Sequence, residues 1–278
     1  MNDMKKCIVC IFLFCIAAVS SLARTGDSRP AANPEKTGGI RRIVAYNVGV
    51  FSKYHDSLQD IANMMQEMAA DAIVLCELDS CNRRHGTFQL EDFTKVLSGE
   101  AGSWSFRFGS AMSWAGGAYG LGVADSGSIG KSFGIKLPKG EGYEPRVCVV
   151  AETSEYVMAA VHLDHKNEDV RMEQARIVTE ELRSRYRRSR KPVFLCGDFN
   201  AVPDSPTLAM LSQDWTVLSE TSPTYPADNP RKCIDYILAL KNRAEYEVVK
   251  TEVCTELESA DVRTASDHLP VYVDVRIK

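Results

Sequence analysis

Apolar runs rich in β-branched residues alternate along this chain with spacings that suit helices. Residues 42–48 and 72–76 read as strands, and the second is apolar enough to be buried on both faces. Between them Leu58, Ile61, Met65 and Met68 follow the three-then-four spacing of one helix face, with Ser57 and Asp60 in the form of a capping pair. The methionine stripe reads as core packing. Residues 146–150 and 157–163 predict further strands, and Ala175, Val178 and Leu182 mark a helix over about 169–186. Residues 193–196 and 234–240 are short buried runs. In the last segment Leu269, Val271, Val273, Val275 and Ile277 alternate with Tyr272, Asp274 and Arg276, the pattern of a strand with one wet or differently packed side. Strands outnumber helices and both recur throughout, which fits a layered α/β sandwich better than a bundle or an all-β barrel.

The first residues change the picture of location. Lys5 and Lys6 precede an apolar run over 7–19, and Ser21-Leu22-Ala23 follows with small residues at the cleavage-defining positions. The run is short for a membrane span. A bulky Phe14 before Cys15 argues against a lipoprotein. Residues 1–23 therefore read as a signal peptide, 24–39 as a Pro- and Gly-rich flexible linker, and 40–278 as one domain without internal repeats. The expectation is an exported protein, periplasmic or extracellular, with no transmembrane segment once the signal is removed.

Of nine cysteines, Cys7, Cys10 and Cys15 fall in the signal, and Cys76, Cys148 and Cys196 sit in apolar runs where a thiol serves as a small core residue. Cys81, Cys233 and Cys254 could pair in an oxidising compartment, but their spacing selects no partner. A net charge of -4 argues against a generally basic surface, so a nucleic-acid substrate would need a local patch. The cations from Arg183 to Lys191 offer one, although they read more simply as a solvated helix end suited to the negative pole of the dipole.

Chemistry concentrates where the apolar runs stop. Asn47 and Glu77 end the first two strands, His162 and Asp164 the strand at 157, and Asp198 with Asn200 the run at 193; Asp235 opens a strand, and Asp267 with His268 precedes the last. Carboxylates converging on one rim would repel one another without a cation, and magnesium takes oxygen ligands of this kind.

The ordered set Tyr46-Asn47, the run ending at Glu77, Gly116 to Gly120, Glu144-Pro145-Arg146, His162-Leu163-Asp164-His165, Gly197-Asp198-Phe199-Asn200, Ile234-Asp235-Tyr236-Ile237 and Ser266-Asp267-His268 resembles the endonuclease/exonuclease/phosphatase superfamily. The resemblance covers Tyr46 to His268. It implies a deoxyribonuclease-I-like fold: a four-layered α/β sandwich of two packed mixed β-sheets flanked by helices. It also implies roles. Asn47, Glu77 and Asp267 would hold Mg2+, with Mn2+ a possible substitute. Asp198 would orient or deprotonate the attacking water, and Asn200 would hold the water or a phosphoryl oxygen. His162 would donate a hydrogen bond to the phosphate or help protonate the leaving group, and His268, oriented by Asp235, would stabilise the transition state. Arg146 and Tyr119 are the candidate substrate contacts. The chain departs from relatives at Val123 to Gly127, which lacks the basic residue expected after that strand, and no acid bracing His162 is evident.

The function implied is metal-assisted hydrolysis of a phosphodiester or phosphomonoester of unknown identity, with a nuclease as the alternative. From other classes come a non-catalytic module that binds a phosphorylated ligand, and a carbohydrate-binding sandwich stacking on Trp104, Trp114 and Tyr119.

Overall fold

The alternating runs pair into two sheets. The computed structural model describes residues 36, 38–99, 103–140 and 144–278, all within the compact unit Ala32–Lys278. The expected signal peptide and the linker up to residue 35 lie outside the described residues. In chain order the strands are β1 (Ile40–Asn47), β2 (Ala72–Ser80), β3 (Ser105–Trp114), β4 (Gly117–Asp125), β5 (Lys131–Leu137), β6 (Arg146–Glu152), β7 (Val157–His162), β8 (Val193–Asp198), β9 (Trp215–Val217), β10 (Asp235–Leu240), β11 (Tyr246–Val253) and β12 (Val271–Ile277). The helices are α1 (Leu58–Glu67), α2 (Gln89–Ser98), α3 (Glu168–Tyr186), α4 (Pro206–Leu211) and α5 (Val262–Ala265).

One sheet runs β11-β12-β1-β2-β4-β3 and the other β5-β6-β7-β8-β10-β9. Each is mixed: β1 and β2 are parallel, as are β7 and β8, and the remaining neighbours are antiparallel. Val147, Val149, Met158, Ala160, Phe194 and Ile237 from the second sheet join the first sheet and helices α1 and α2 in one core. The outer face of the second sheet packs with α3 and α4 around Val157, Val178, Leu182 and Trp215. This is the expected four-layered sandwich. Among the described residues, no helix is long and apolar enough to cross a membrane.

Several local expectations change. Ser57 precedes α1 at φ -109 and ψ 10, outside the extended geometry of a capping residue, and its hydroxyl is buried without a partner. Asp60 instead meets His55 at 2.9 Å. The second face of β12 is packed differently, as expected: Asp274 takes two bonds of 2.7 Å from the buried Arg42 guanidinium, which lies 4.4 Å from the Tyr272 ring, while Arg276 at the strand end stays partly exposed. Among the described residues all six cysteines are free; Cys233 and Cys254 are buried and Cys81 is exposed, so the pairing left open does not form. The cations ending α3 are partly tied down, Arg183 by Asp214, Arg185 by Glu181 and Lys191 by Glu152.

Two bulges shape the rim that will matter below. Cys76 faces Leu121 and Leu78 faces Gly120, so Glu77 is an extra residue in β2, held at φ 60. On the other side of β4 the register slips between Ser110 and Met112, again at Gly120. A Cβ on Gly120 would lie 1.9 Å from the Gly109 carbonyl oxygen, so only glycine lets the three strands bend together at this level. Glu77 therefore does not end its strand, as the sequence suggested: β2 continues to Ser80 and carries the acid on a kink.

Candidate active site

Because β1 runs parallel to β2 and β7 to β8, the ends of both pairs can meet at one edge of the sandwich. The meeting is direct. Asn47 Nδ2, at the end of β1, donates to Asp198 Oδ2 at the end of β8 and to Glu77 Oε1 on the bulge, both at 3.1 Å. The Asn47 side-chain oxygen accepts from the Gly49 amide at 3.2 Å, which fixes which way the amide faces. Register pairs His162 with Asp198, and His162 Nε2 stands 3.4 Å from the same Asp198 oxygen. The other oxygen of Asp198 accepts the Asn200 amide at 2.8 Å. Gly197, at φ 135, allows this crossing; a Cβ there would fall 2.0 Å from the Val161 carbonyl oxygen.

The last loop closes over these ends. Ser266 Oγ donates to the Asn47 carbonyl at 2.7 Å, and the Ala227 and Leu269 amides bond the 224–227 loop to the 267–269 segment. His268 Nδ1 then lies 2.9 Å from Asp235 Oδ2, which also accepts the Thr224 hydroxyl at 2.5 Å. The imidazole rests against Tyr225, ring centres 4.8 Å apart, and its Nε2 is 3.8 Å from Asp198.

Electrostatics separate the two histidines. Burial would lower His268, but Asp235, with Asp198 and Asp267 adding their charge, outweighs it and raises the imidazole to about 10. His162 is held well below its ordinary value by burial and by the positive charges of Arg146, His268 and His165. Burial, then the charge of Asp235, raises Asp198 above the usual carboxylate range. One ring is thus a cation, the other a neutral donor, and between them stands a carboxylate with enhanced proton affinity.

The donor set suits a hard divalent cation. It is rich in oxygen, and the nearby Cys76 thiol is buried and bonded to the Val161 carbonyl, 3.2 Å away, so no thiolate competes. Lys53 Nζ stands 2.5 Å from Asp267 Oδ2. Burial opposes its charge, but Asp267 and then Glu77 override this and raise it, so the two acids jointly draw positive charge to this side of the cleft. Asp198, Asp235 and His268 also cluster closely enough to ligate an ion. Their hydrogen bonding describes a braced imidazole, because Nδ1 and the Asp235 carboxylate already face each other.

Together these groups line a cleft of about 620 Å3. It holds Glu77, Arg146, His162, Asp198, Asn200, Asp267 and His268. Asp235 and Asn47 stand behind its wall as bracing groups. Tyr119 is buried in β4, across from Asp79, close enough to Glu77, Glu144 and Arg146 for their charges to act on its hydroxyl. Asp164 is a turn residue whose Oδ1 accepts the amides of Lys166 and Asn167. The departure at Val123 to Gly127 also loses its bearing on the substrate, since Asp125 pairs with Ala72 at the opposite end of β2 from Glu77. Sequence reasoning missed Lys53, Glu144, His165, Glu168, Arg171, Tyr225 and Lys232 in the lining. Glu144 and His165 stood inside motifs already singled out; the others carried no pattern.

The fold is shared with solved structures of low identity. An endonuclease/exonuclease/phosphatase from Beutenbergia cavernae DSM 12333 superposes with a TM-score of 0.69 at 20% identity, over 86% of this chain and 72% of that one. A mannosyl-6-phosphatase from Bacteroides thetaiotaomicron gives 0.68 at 20% identity, covering 84% of this chain and 99% of that one. The human Nocturnin catalytic domain with bound sulfate gives 0.63 at 17% identity, covering 86% and 95%. No curated protein sequence matches significantly. Residues 44–268 match the model of the Endonuclease/Exonuclease/phosphatase family. With its motifs gathered at one rim of that sandwich, the chain belongs to this family.

Proposed function

We propose that the protein is an exported phosphoesterase that hydrolyses phosphodiester or phosphomonoester bonds by in-line attack of water, using Mg2+ or, as a substitute, Mn2+. The observation that carries this reading is the convergence of Glu77, His162, Asp198, Asp267 and the Asp235-braced His268 on one cleft. That a solved structure of the same fold is a mannosyl-6-phosphatase, and that another binds sulfate, agrees with chemistry at a tetrahedral oxyanion.

Glu77 and Asp267 would hold the cation, with the Asn47 amide setting the position of Glu77. Bound there, the metal supplies charge neutralisation at the phosphoryl oxygens. Asp198, raised by burial, takes a proton from the attacking water, and Asn200 fixes its carboxylate through a backbone bond. Protonated His268 answers the charge that grows on the equatorial oxygens, held in place by Asp235 and Thr224. His162, neutral, donates a hydrogen bond to the phosphoryl group, and Arg146 adds a fixed fork of donors; as the bond from phosphorus to the ester oxygen breaks, the departing oxygen takes a proton from solvent, to which Asp198 returns the one it accepted.

The test is hydrolysis by the purified mature protein across aryl phosphates, sugar and inositol phosphates, phospholipid head groups, DNA and RNA, with and without chelator. Chelator-sensitive turnover is expected, and Asp198→Ala and His268→Ala should each reduce it by roughly 10²–10⁴-fold while thermal unfolding stays close to wild type. Absence of turnover on the whole panel, with metal-independent phosphate binding, would replace the enzyme by a binding module. A preference for DNA or RNA would make it a nuclease.

A further inference from the structure

Beside the cleft the chain forks at residues 52 and 53. Lys53 turns to Asp267 at the reacting end, where Glu77, Asp198 and His268 also stand. Ser52 turns to His85 instead: its Oγ lies 3.0 Å from Nε2, and Nδ1 of the same ring lies 2.6 Å from Asp79 Oδ2. A carboxylate only accepts, so Nδ1–H is directed at Asp79, and Nε2 of the neutral ring accepts the serine hydroxyl hydrogen. A hydroxyl, an imidazole and a carboxylate linked in that order are the parts of an activated nucleophile, recognised by geometry and role on unrelated folds.

Each member is held from behind. The Asp79 side chain is fully buried, and Arg84 fixes its two oxygens with bonds of 2.7 and 2.8 Å. Asn82, also buried, accepts the amides of Arg84 and His85 through Oδ1 at 3.0 and 3.4 Å, which sets the loop that carries the ring. Ser52 leaves a strained turn: Gly49, Val50 and Phe51 have φ of 52, 53 and 53, a backbone that a β-branched residue rarely takes. Such strain persists only where the surroundings enforce it, and it gathers at functional sites. Gln89 enforces it here, with Nε2 donating to the Val50 carbonyl at 2.6 Å and Oε1 accepting the Asp79 amide at 2.8 Å. One buried side chain thus ties together the two segments that present the hydroxyl and the carboxylate.

The series opens to solvent at its hydroxyl end. The His85 side chain is 22% exposed and Ser52 is exposed, so a substrate can approach the serine. The neighbouring cations are committed, Arg84 to Asp79 and Lys53 to Asp267, which disfavours a phosphoryl group with its several charged oxygens. A carboxylic ester develops one negative oxygen and needs only neutral donors. The Lys53 amide, next in the chain after the hydroxyl, has no acceptor among the described residues, and the amide following a nucleophile is a donor of this kind.

We propose that Ser52 and His85, with Asp79 as their positioning residue, form a second catalytic centre that hydrolyses a carboxylic ester through an acyl-serine. As Ser52 Oγ bonds to the carbonyl carbon, its proton passes to His85 Nε2. The bond from that carbon to the alcohol oxygen breaks, and the departing oxygen takes the proton. Water then attacks the acyl-serine, giving its proton to His85, which returns it to Ser52 Oγ as the carboxylic acid leaves.

The full mature protein, with Mg2+ and again with chelator, would be treated with a fluorophosphonate and, separately, with 4-nitrophenyl acetate. One fluorophosphonate adduct per chain and a transient acetyl group are expected, both mapped to Ser52 by peptide mass spectrometry and both formed with or without chelator. His85→Gln should slow both reactions at least about a hundredfold while its thermal midpoint stays close to wild type. Asp79→Asn, assayed well below its unfolding midpoint, should lower kcat for 4-nitrophenyl acetate at least about tenfold with KM within about twofold. An unchanged kcat there would overturn the role given to Asp79. Adducts on lysines alone, labelling of Ser52 at an unchanged rate in His85→Gln, or labelling that chelator abolishes would overturn the second centre. Loss of phosphoester turnover in chelator, with Ser52 still labelled, is the expected separation of the two sites.

Discussion

Asp79 has no solvent exposure on its side chain, yet it carries a charge two residues beyond Glu77. Arg84 reaches it with two bonds of 2.7 and 2.8 Å, and His85 Nδ1 lies 2.6 Å away with its other nitrogen 3.0 Å from Ser52 Oγ. Burial opposes this charge, but the bonds from Arg84 and His85 outweigh it and hold Asp79 below its ordinary value. The folded state therefore prefers the ionised form. Its contribution is complete above the unfolded carboxylate value of about 4 and disappears as pH falls through the lower folded value. Asp79→Asn should cost about 2 kcal/mol at neutral pH, less than the roughly 3–5 kcal/mol of a fully buried pair because Arg84 stays partly solvated. Urea denaturation of both proteins checks this: the difference should shrink on acidification below about pH 4, and a constant difference would mean that lost packing, not charge, sets the cost. At this scale the reacting end was legible because acids and imidazoles at the ends of apolar runs break the pattern around them. Lys53 and Arg171 were not, since a cation in a loop or on a helix looks the same whether it faces bulk water or a cleft.

At the scale of elements, buried strands announced themselves and edge strands did not. β3, β5 and β11 keep many half-exposed residues, so no apolar run marks them, while β7, β8 and β10 are buried throughout. The capping pair proposed for α1 failed because Ser57 faces the core, a fact of tertiary packing that a four-residue pattern does not contain. For β12 the alternation was plain but the nature of its second face was not, because Arg42 arrives from β1, 232 residues away in sequence. Breaking that contact should be expensive. Asp274→Ala leaves the Arg42 guanidinium buried without its carboxylate and is expected to destabilise the protein by roughly 3–5 kcal/mol, measured as a lowered urea midpoint with little change in slope.

For the whole molecule, the direction of α3 separates charge from chemistry. Its first turn supplies Glu168 and Arg171 to the cleft, and its 19 residues carry the chain about 28 Å away before Arg187, Arg188 and Arg190 are reached. β8 then returns from Val193 to Asp198. The basic cluster therefore stands at the other end of α3 from the cleft, as a solvated helix end would. Arg187, Arg188 and Arg190 changed together to Gln should leave kcat/KM within about twofold and leave its salt dependence unaltered; a flattened salt slope on DNA would instead place the cluster in a substrate path.

The kink in β2 has a consequence for how the cleft is made. Glu77 is surplus to the hydrogen-bonded ladder: without it, Cys76 and Leu78 would meet Leu121 and Gly120 in unbroken antiparallel register. The acid is in effect an inserted residue laid over a sheet that closes without it. Excising Glu77, rather than replacing it, should therefore yield a straighter, still folded sandwich with its thermal midpoint largely preserved and its metal affinity gone, whereas the same excision at Leu75 would turn the strand inside out and abolish folding.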